Sequence, residues 1–189
     1  MDPTSRFPLL GEPLSLDLVN LCVRRNGADI DLLDSPAALD AWLRAEAERL
    51  SWSGAASAAD WLAVRALRAA IAELFRARRE ETRPTATALA QLNAALAAPG
   101  RSRLVWTGRQ PRLAPPGARA RRGAVLQQLA ADAVAVLTGP QAGRLRRCAN
   151  PDCVLQFIAS NPRRRWCSSA LCGNRARVAR HYRRHREAA

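Results

Sequence analysis

Residues 148–175, CANPDCVLQFIASNPRRRWCSSALCGNR, place four cysteines as C-x4-C, thirteen residues, and a second C-x4-C. Two close thiol pairs separated by a short loop suit a tetrahedral zinc ion. Each pair supplies two thiolates from one tight turn, and the loop brings the pairs together. Asn150, Pro151 and Asp152 are turn formers, so the first pair can close as a knuckle. Val154 to Ile158 and Arg164 to Trp166 are then expected to form a hairpin around Asn161 and Pro162. The spacing assigns Cys148, Cys153, Cys167 and Cys172 to one structural zinc. Four thiolates fill the tetrahedron and leave no position for a reactive water.

Following the second pair, RARVARHYRRHR (175–186) contains neither Gly nor Pro and reads as a helix with Cys172 at or near its first turn. Knuckle, hairpin and helix together make a treble-clef arrangement. At about 100° per residue, Arg177, Arg180 and Arg184 fall on one stripe, with Val178, Tyr182 and His185 roughly opposite. The helix is expected to dock its Val and Tyr side on the zinc module and turn its arginines outward. His181 and His185 offer a second scheme, a set of two cysteines and two histidines with Cys167 and Cys172. That scheme has eight residues between Cys172 and His181, against roughly twelve in the common finger of that type. It also leaves Cys148 and Cys153 without a role.

Charge separates this tail from the rest of the chain. The 189 residues carry a net charge of +14 and contain no lysine. Residues 1–100 hold 11 Arg against 13 acidic residues, 101–143 hold 7 against 1, and 144–189 hold 12 against 2. A near-neutral body joined to a strongly basic tail is the pattern of a chain that meets a polyanion. Arg163, Arg164 and Arg165, with Arg144, Arg146 and Arg147 before the first cysteine, would add to one positive surface. Guanidinium forks pair with phosphate and with the guanine edge.

The body reads as helical, because Leu and Ala dominate an apolar content of 48% while β-branched and aromatic residues are few. PLSLDLVNLCV (13–23) fits a strand or a helix, with helix preferred, and Cys22 reads as a buried packing thiol. Ser35 and Pro36 start a helix carrying Leu39, Trp42, Leu43 and Leu50. A longer helix runs from about Ala58 to Glu81 and is ended by Arg83 and Pro84. A third begins near Thr85 and buries Leu89, Leu92 and Leu96. Leu104 to Trp106 and Arg112 to Leu113 suggest a short hairpin. A fourth helix, about Ala118 to Leu137, buries Val125, Leu129, Val136 and Leu137. The expected architecture is mainly α: a helical domain with a short β-hairpin over 1–140, and a small treble-clef-like four-cysteine finger over 141–189. No run of eighteen apolar residues or signal-peptide pattern occurs, so a cytosolic chain making no membrane contact is expected. In a reducing compartment, clustered cysteines point to metal rather than disulfides.

RRRWCSSALCGNR (163–175) resembles the signature of the CGNR zinc-finger family of bacterial proteins. GEPLSLDLVN (11–20), DLLDSPAALDAWL (31–43) and LNAALAAPGRSRLVW (92–106) resemble the domain that accompanies this finger, ABATE, regarded as a stress-induced transcription regulator. The resemblance implies that the four cysteines are zinc ligands and that the finger contacts DNA. The chain departs from the family pattern after Phe157, where Ile158, Ala159 and Ser160 replace an Asp and a longer loop. Gly173 would allow close backbone approach beside the metal, Asn174 a bond to the knuckle or a thiolate, and Arg175 a reach to phosphate. The same three residues could instead form a structural turn that brackets the zinc.

The expected function is therefore a bacterial transcription regulator that binds duplex DNA through the finger and Arg163, Arg164, Arg165, Arg175, Arg177, Arg180 and Arg184. One alternative is an RNA- or ribosome-associated zinc protein. Another is a protein that binds a small-molecule effector in its N-terminal domain, with Asp17 and Asn20, polar within an apolar run, as candidate ligand residues. That pair could equally cap or hydrogen-bond within the fold. No phosphate loop, HExxH or nucleophile motif is present, and no enzymatic activity is expected.

Overall fold

The computed structural model describes residues 6–98, 103–107, 110–114 and 118–187, with backbone alone for 103–107, 110–114, Leu171, Arg180 and 182–187. Local capping chemistry sets the helix starts. The Ser35 hydroxyl accepts the Ala38 N–H at 3.1 Å, and Pro36 opens helix α2 (Pro36–Ala45). Helix α3 (Ala58–Glu80) begins with a reciprocal box: Ser57 accepts the Asp60 N–H while the Asp60 carboxylate accepts the Ser57 N–H. Thr85 caps α4 (Ala86–Leu96). The end of α3 comes slightly before Arg83 and Pro84, at Glu81, which adopts a left-handed conformation with φ 53°.

The ambiguous segment near the N-terminus resolves as helix α1 (Leu14–Val19), whose six residues are all buried. It packs against α3 and α5 (Ala118–Thr138), so its apolar residues find partners on several sides. Just beyond it, β1 (Cys22–Arg25) and β2 (Ala28–Asp31) form a second small antiparallel ribbon that the sequence reading does not anticipate. Cys22 lies on β1 and is half-buried rather than fully enclosed. The expected hairpin is present as β3 (Arg103–Thr107) paired with β4 (Gln110–Ala114).

The main core gathers Leu16, Leu18, Leu21, Trp42, Leu67, Ile71, Phe75 and Leu129. On α4 the buried positions are Ala88, Leu92 and Ala95, while Leu89 is 40% exposed. The buried stripe is thus turned by one position from the Leu89, Leu92, Leu96 reading. Alanine at 88 and 95 lets α4 approach its neighbours closely, and leucine count alone mispoints the face. On α5, Val125, Leu129 and Val136 are buried as expected and Leu137 only partly.

The C-terminal part is built on β5 (Leu145–Arg147), paired antiparallel with β6 (Gln156–Ile158). This corrects the expected hairpin. The strands flank the first cysteine pair, which becomes the loop between them, and Arg164 to Trp166 form no strand. A π-helical turn, Ser169–Gly173, then leads into α6 (Asn174–Glu187). Leu145 and Ile158 belong to the main core, so the small module is seated on the helical domain by apolar contact as well as by chain connection.

Candidate metal centre and the adjoining basic surface

Cys148, Cys153, Cys167 and Cys172 are brought together with their sulfurs all within 4.8 Å of one another, and all four are buried. Two come from the β5–β6 knuckle, one from the loop after Trp166 and one from the π-helical turn. Zinc–thiolate bonds of about 2.3 Å place tetrahedral sulfurs roughly 3.8 Å apart. The observed Cys153 to Cys167 separation of 3.9 Å agrees. The surrounding donors also suit thiolates: the Cys167 N–H points to Cys148 Sγ and the Asn150 side-chain amide to Cys172 Sγ, each at 3.5 Å. Such N–H to sulfur contacts orient ligands and disperse their charge. Without a cation, the cluster can hold little negative charge. Hydrogen bonds from Cys153 and Cys167 pull Cys148 well below the ordinary thiol range, and bonding to Cys148 pushes both partners up. A dication allows all four to ionise together. The donor set, its burial and its spacing fit one structural zinc ion, and among the described residues no other group of metal-ligating side chains is this close. His181 is exposed on α6 and lies outside the cluster, against the scheme of two cysteines and two histidines.

The CGNR residues take different places from those expected. A Cβ on Gly173 would meet the Ser168 carbonyl at 3.4 Å and Trp166 Cδ1 at 3.6 Å, which is ordinary contact, so packing within the chain does not demand glycine there. Asn174 is exposed, and Asn150 from the knuckle makes the sulfur contact instead. Arg175 is exposed beside the knuckle. Val178 is 45% exposed, so α6 does not dock by its Val side. The face toward the knuckle carries Arg175, Ala176 and Ala179, which border a groove of about 550 Å³ with Asn150, Pro151, Asp152 and Trp166. Small residues at 176 and 179, about one helical turn apart, share that face.

Of the arginines assigned to nucleic acid, Arg163, Arg165, Arg175 and Arg177 are exposed and have no acidic partner among the described residues. Arg165 rests over the Trp166 ring at 5.6 Å. Arg180 and Arg184 belong to α6, but their side chains lie outside the described ones. Arg164 requires correction. Its guanidinium donates to the carbonyls of Ile158, Trp166 and Cys167, pairs with Glu12 at 3.0 Å, and stacks over Phe157 at 4.4 Å. With its donors occupied inside the chain, it holds the loop in shape and is not available as a phosphate contact.

Asp17 and Asn20 are both about 1% exposed. The Asn20 side chain donates to the Gln156 carbonyl at 2.9 Å and accepts the Gln156 N–H at 2.7 Å, so it clasps β6 as another strand would. Asp17 pairs with Arg49 at 2.8 Å, and burial pushes its carboxyl up to about 6 despite that partner. Asn20 is thus fully engaged within the fold, whereas Asp17 is engaged through Oδ2 alone and its buried Oδ1 has no hydrogen-bond partner among the described residues. Sequence reasoning misses the residues that complete this seam. Glu12 accepts the Ile158 N–H at 2.8 Å as well as Arg164, and Arg79 donates to the Gln156 side chain. The only sequence signal is Gln156, a polar residue inside the apolar run VLQFI.

Fold and site together define a helical protein carrying a four-cysteine zinc finger on its C-terminal side. Comparison with known families agrees. Residues 12–140 match the ABATE family, described as "Putative stress-induced transcription regulator", and residues 144–185 match the CGNR zinc finger. The chain belongs to the ABATE family. No match is found among curated proteins. Among the described residues, no helix is long and apolar enough to cross a membrane.

Proposed function

We propose that this regulator binds duplex DNA through its zinc finger, with Arg163, Arg165, Arg175 and Arg177 as contacts and α6 as the element that presents the remaining arginines. The observation that carries this reading is the set of exposed arginines without acidic partners among the described residues: Arg163, Arg165 and Arg175 line grooves beside the four-thiol centre, and Arg177 is exposed on α6. Zinc supplies folding energy and geometry here. The reading is non-catalytic: four buried thiolates would complete the coordination shell. The family description supports the regulatory role and the response to stress. The basic surface supports a polyanionic partner, with any effector acting through the helical domain.

Selection from a random duplex pool with the zinc-loaded full chain tests this. Enrichment of a common sequence is expected, with affinity falling as salt rises. Arg163→Ala, Arg165→Ala and Arg175→Ala should each reduce the salt slope by roughly 0.9. Enrichment of nothing, together with preferential binding of structured RNA, would overturn the reading in favour of an RNA-associated protein.

A further inference from the structure

The ribbon β1–β2 comes from the helical domain, yet it lies against the zinc module. Val23 packs on both the main core and the cluster of cysteines. Arg24 is held across the ribbon by Asp29 at 2.7 and 3.0 Å, and its other terminal nitrogen reaches the Pro151 carbonyl of the knuckle at 3.4 Å. At the base, Arg68 grips Asp31 by two bonds of 2.6 Å. The tip is a two-residue turn with Asn26 at φ 51° and Gly27 at φ 80°, a primed turn matched to ribbon twist. Arg25 stands beside that turn, exposed and without an acidic partner among the described residues.

Charges on the knuckle and on β5 act on the ribbon that these contacts place beside them. The Asp29 carboxyl is held below its usual range first by its bond from Arg24, and in smaller part by the charge of Arg147 on β5. Asp152 on the knuckle acts in turn on Arg24, whose pKa is raised chiefly by Asp29. Knuckle residues Pro151 and Asp152 also border the groove that carries Arg175. A series of neighbours therefore runs from Arg175 across the knuckle to the ribbon and on to Arg147. Asp29 along it is neutralised by Arg24. Asp152 is the one acidic side chain on this path without an ion pair among the described residues. Arg25, Arg147 and Arg175 are left as net positive charge.

We propose that the β1–β2 ribbon is a second nucleic-acid contact, in which Arg25 and Arg147 bind the phosphate backbone of the same duplex that the finger engages. The inference rests on the duplex-binding reading and extends it to the helical domain. A helical domain that touches the duplex can set affinity directly, through a ribbon seated on the zinc module. Affinity for a duplex should be measured against salt with the zinc-loaded full chain, its Arg25→Ala and Arg147→Ala variants, the double variant and Arg25→Lys. Each alanine is expected to lower the slope by roughly 0.9 and the double variant by roughly 1.8, with Arg25→Lys close to the parent. Both arginines face solvent, and unchanged thermal unfolding confirms that the variants fold. A parent slope in the double variant, with a reduced slope in Arg175→Ala, would overturn the ribbon contact and leave the finger reading standing. Failure of the parent chain to bind any duplex would overturn both.

Discussion

Removal of the Glu12 carboxylate tests how tightly finger and helical domain are joined. Glu12 is 7% exposed and serves two donors from the zinc module, the Ile158 N–H and the Arg164 guanidinium. In Glu12→Ala, the buried Ile158 N–H is left without a partner, which costs about 1–3 kcal/mol. The charge pair is also lost. The Arg164 side chain is 26% exposed, so water compensates in part and this loss adds only about 1 kcal/mol. A total near 3 kcal/mol corresponds to a Tm lower by about 6–12 °C for a chain of this size. Thermal unfolding of the zinc-loaded full chain measures it, and a cycle with Arg164→Ala isolates the pair. A coupling of about 1 kcal/mol is expected. A Tm change under about 2 °C in Glu12→Ala, or no coupling in the cycle, would refute the seam as a source of stability.

Other perturbations probe separate parts of the account. Asp17 keeps its proton up to about 6 when folded, against 3.8 for its ordinary value, because burial outweighs Arg49 and the Leu10 N–H while the Glu12 charge adds to burial. The folded chain therefore binds more protons between those values, and this group's contribution to stability falls as pH rises through the window. The wild type should lose about 2 kcal/mol more than Asp17→Asn between pH 4 and 7. Urea midpoints at both pH values measure it, and parallel losses would contradict it. Glu81→Gly should raise stability by about 1 kcal/mol, since glycine occupies the left-handed position without strain. A fall in Tm would argue against the left-handed cap. Asn20→Ala leaves both backbone groups of Gln156 unpaired and should destabilise by about 2–4 kcal/mol. A loss below about 1 kcal/mol in denaturant titration would show that β6 is held mainly by its apolar contacts.

The parts of this protein legible in its sequence are the ones encoded locally. Cysteine spacing and the Asn150–Asp152 turn specify a knuckle within a few residues, and Ser35, Ser57 and Thr85 mark helix starts by a short-range bond to the backbone three residues on. The seam is illegible for the opposite reason. Glu12 and Arg164 lie 152 residues apart, and Asn20 and Gln156 lie 136 apart, with no period or spacing to link them. Arg163, Arg164 and Arg165 read alike in the chain. Only the fold shows that the middle one turns inward over Phe157 while its neighbours face solvent. Composition likewise gives no hint that a charge-rich ribbon, Arg24 to Asp31, would leave the helical domain to lie on the knuckle. On α4, leucine spacing misleads because alanine can be buried where helices approach closely, leaving the larger Leu89 outside.

From sequence alone, metal removal would be expected to unfold the tail and spare the helices. The structure changes that expectation. Leu145 and Ile158 sit in the main core, and Glu12, Asn20 and Arg79 direct their polar groups into β6 and the Arg164 loop. A zinc-free module that lets go of these groups leaves them buried without partners in the helical domain. Hydrogen exchange of the full chain, read by mass before and after chelation, tests this most directly. Protection should fall together in 145–173 and in the segment Glu12 to Leu21, with recovery of both on adding zinc. Loss confined to residues beyond 144, with Glu12 to Leu21 as protected as before, would contradict a finger and helical domain joined through the metal centre.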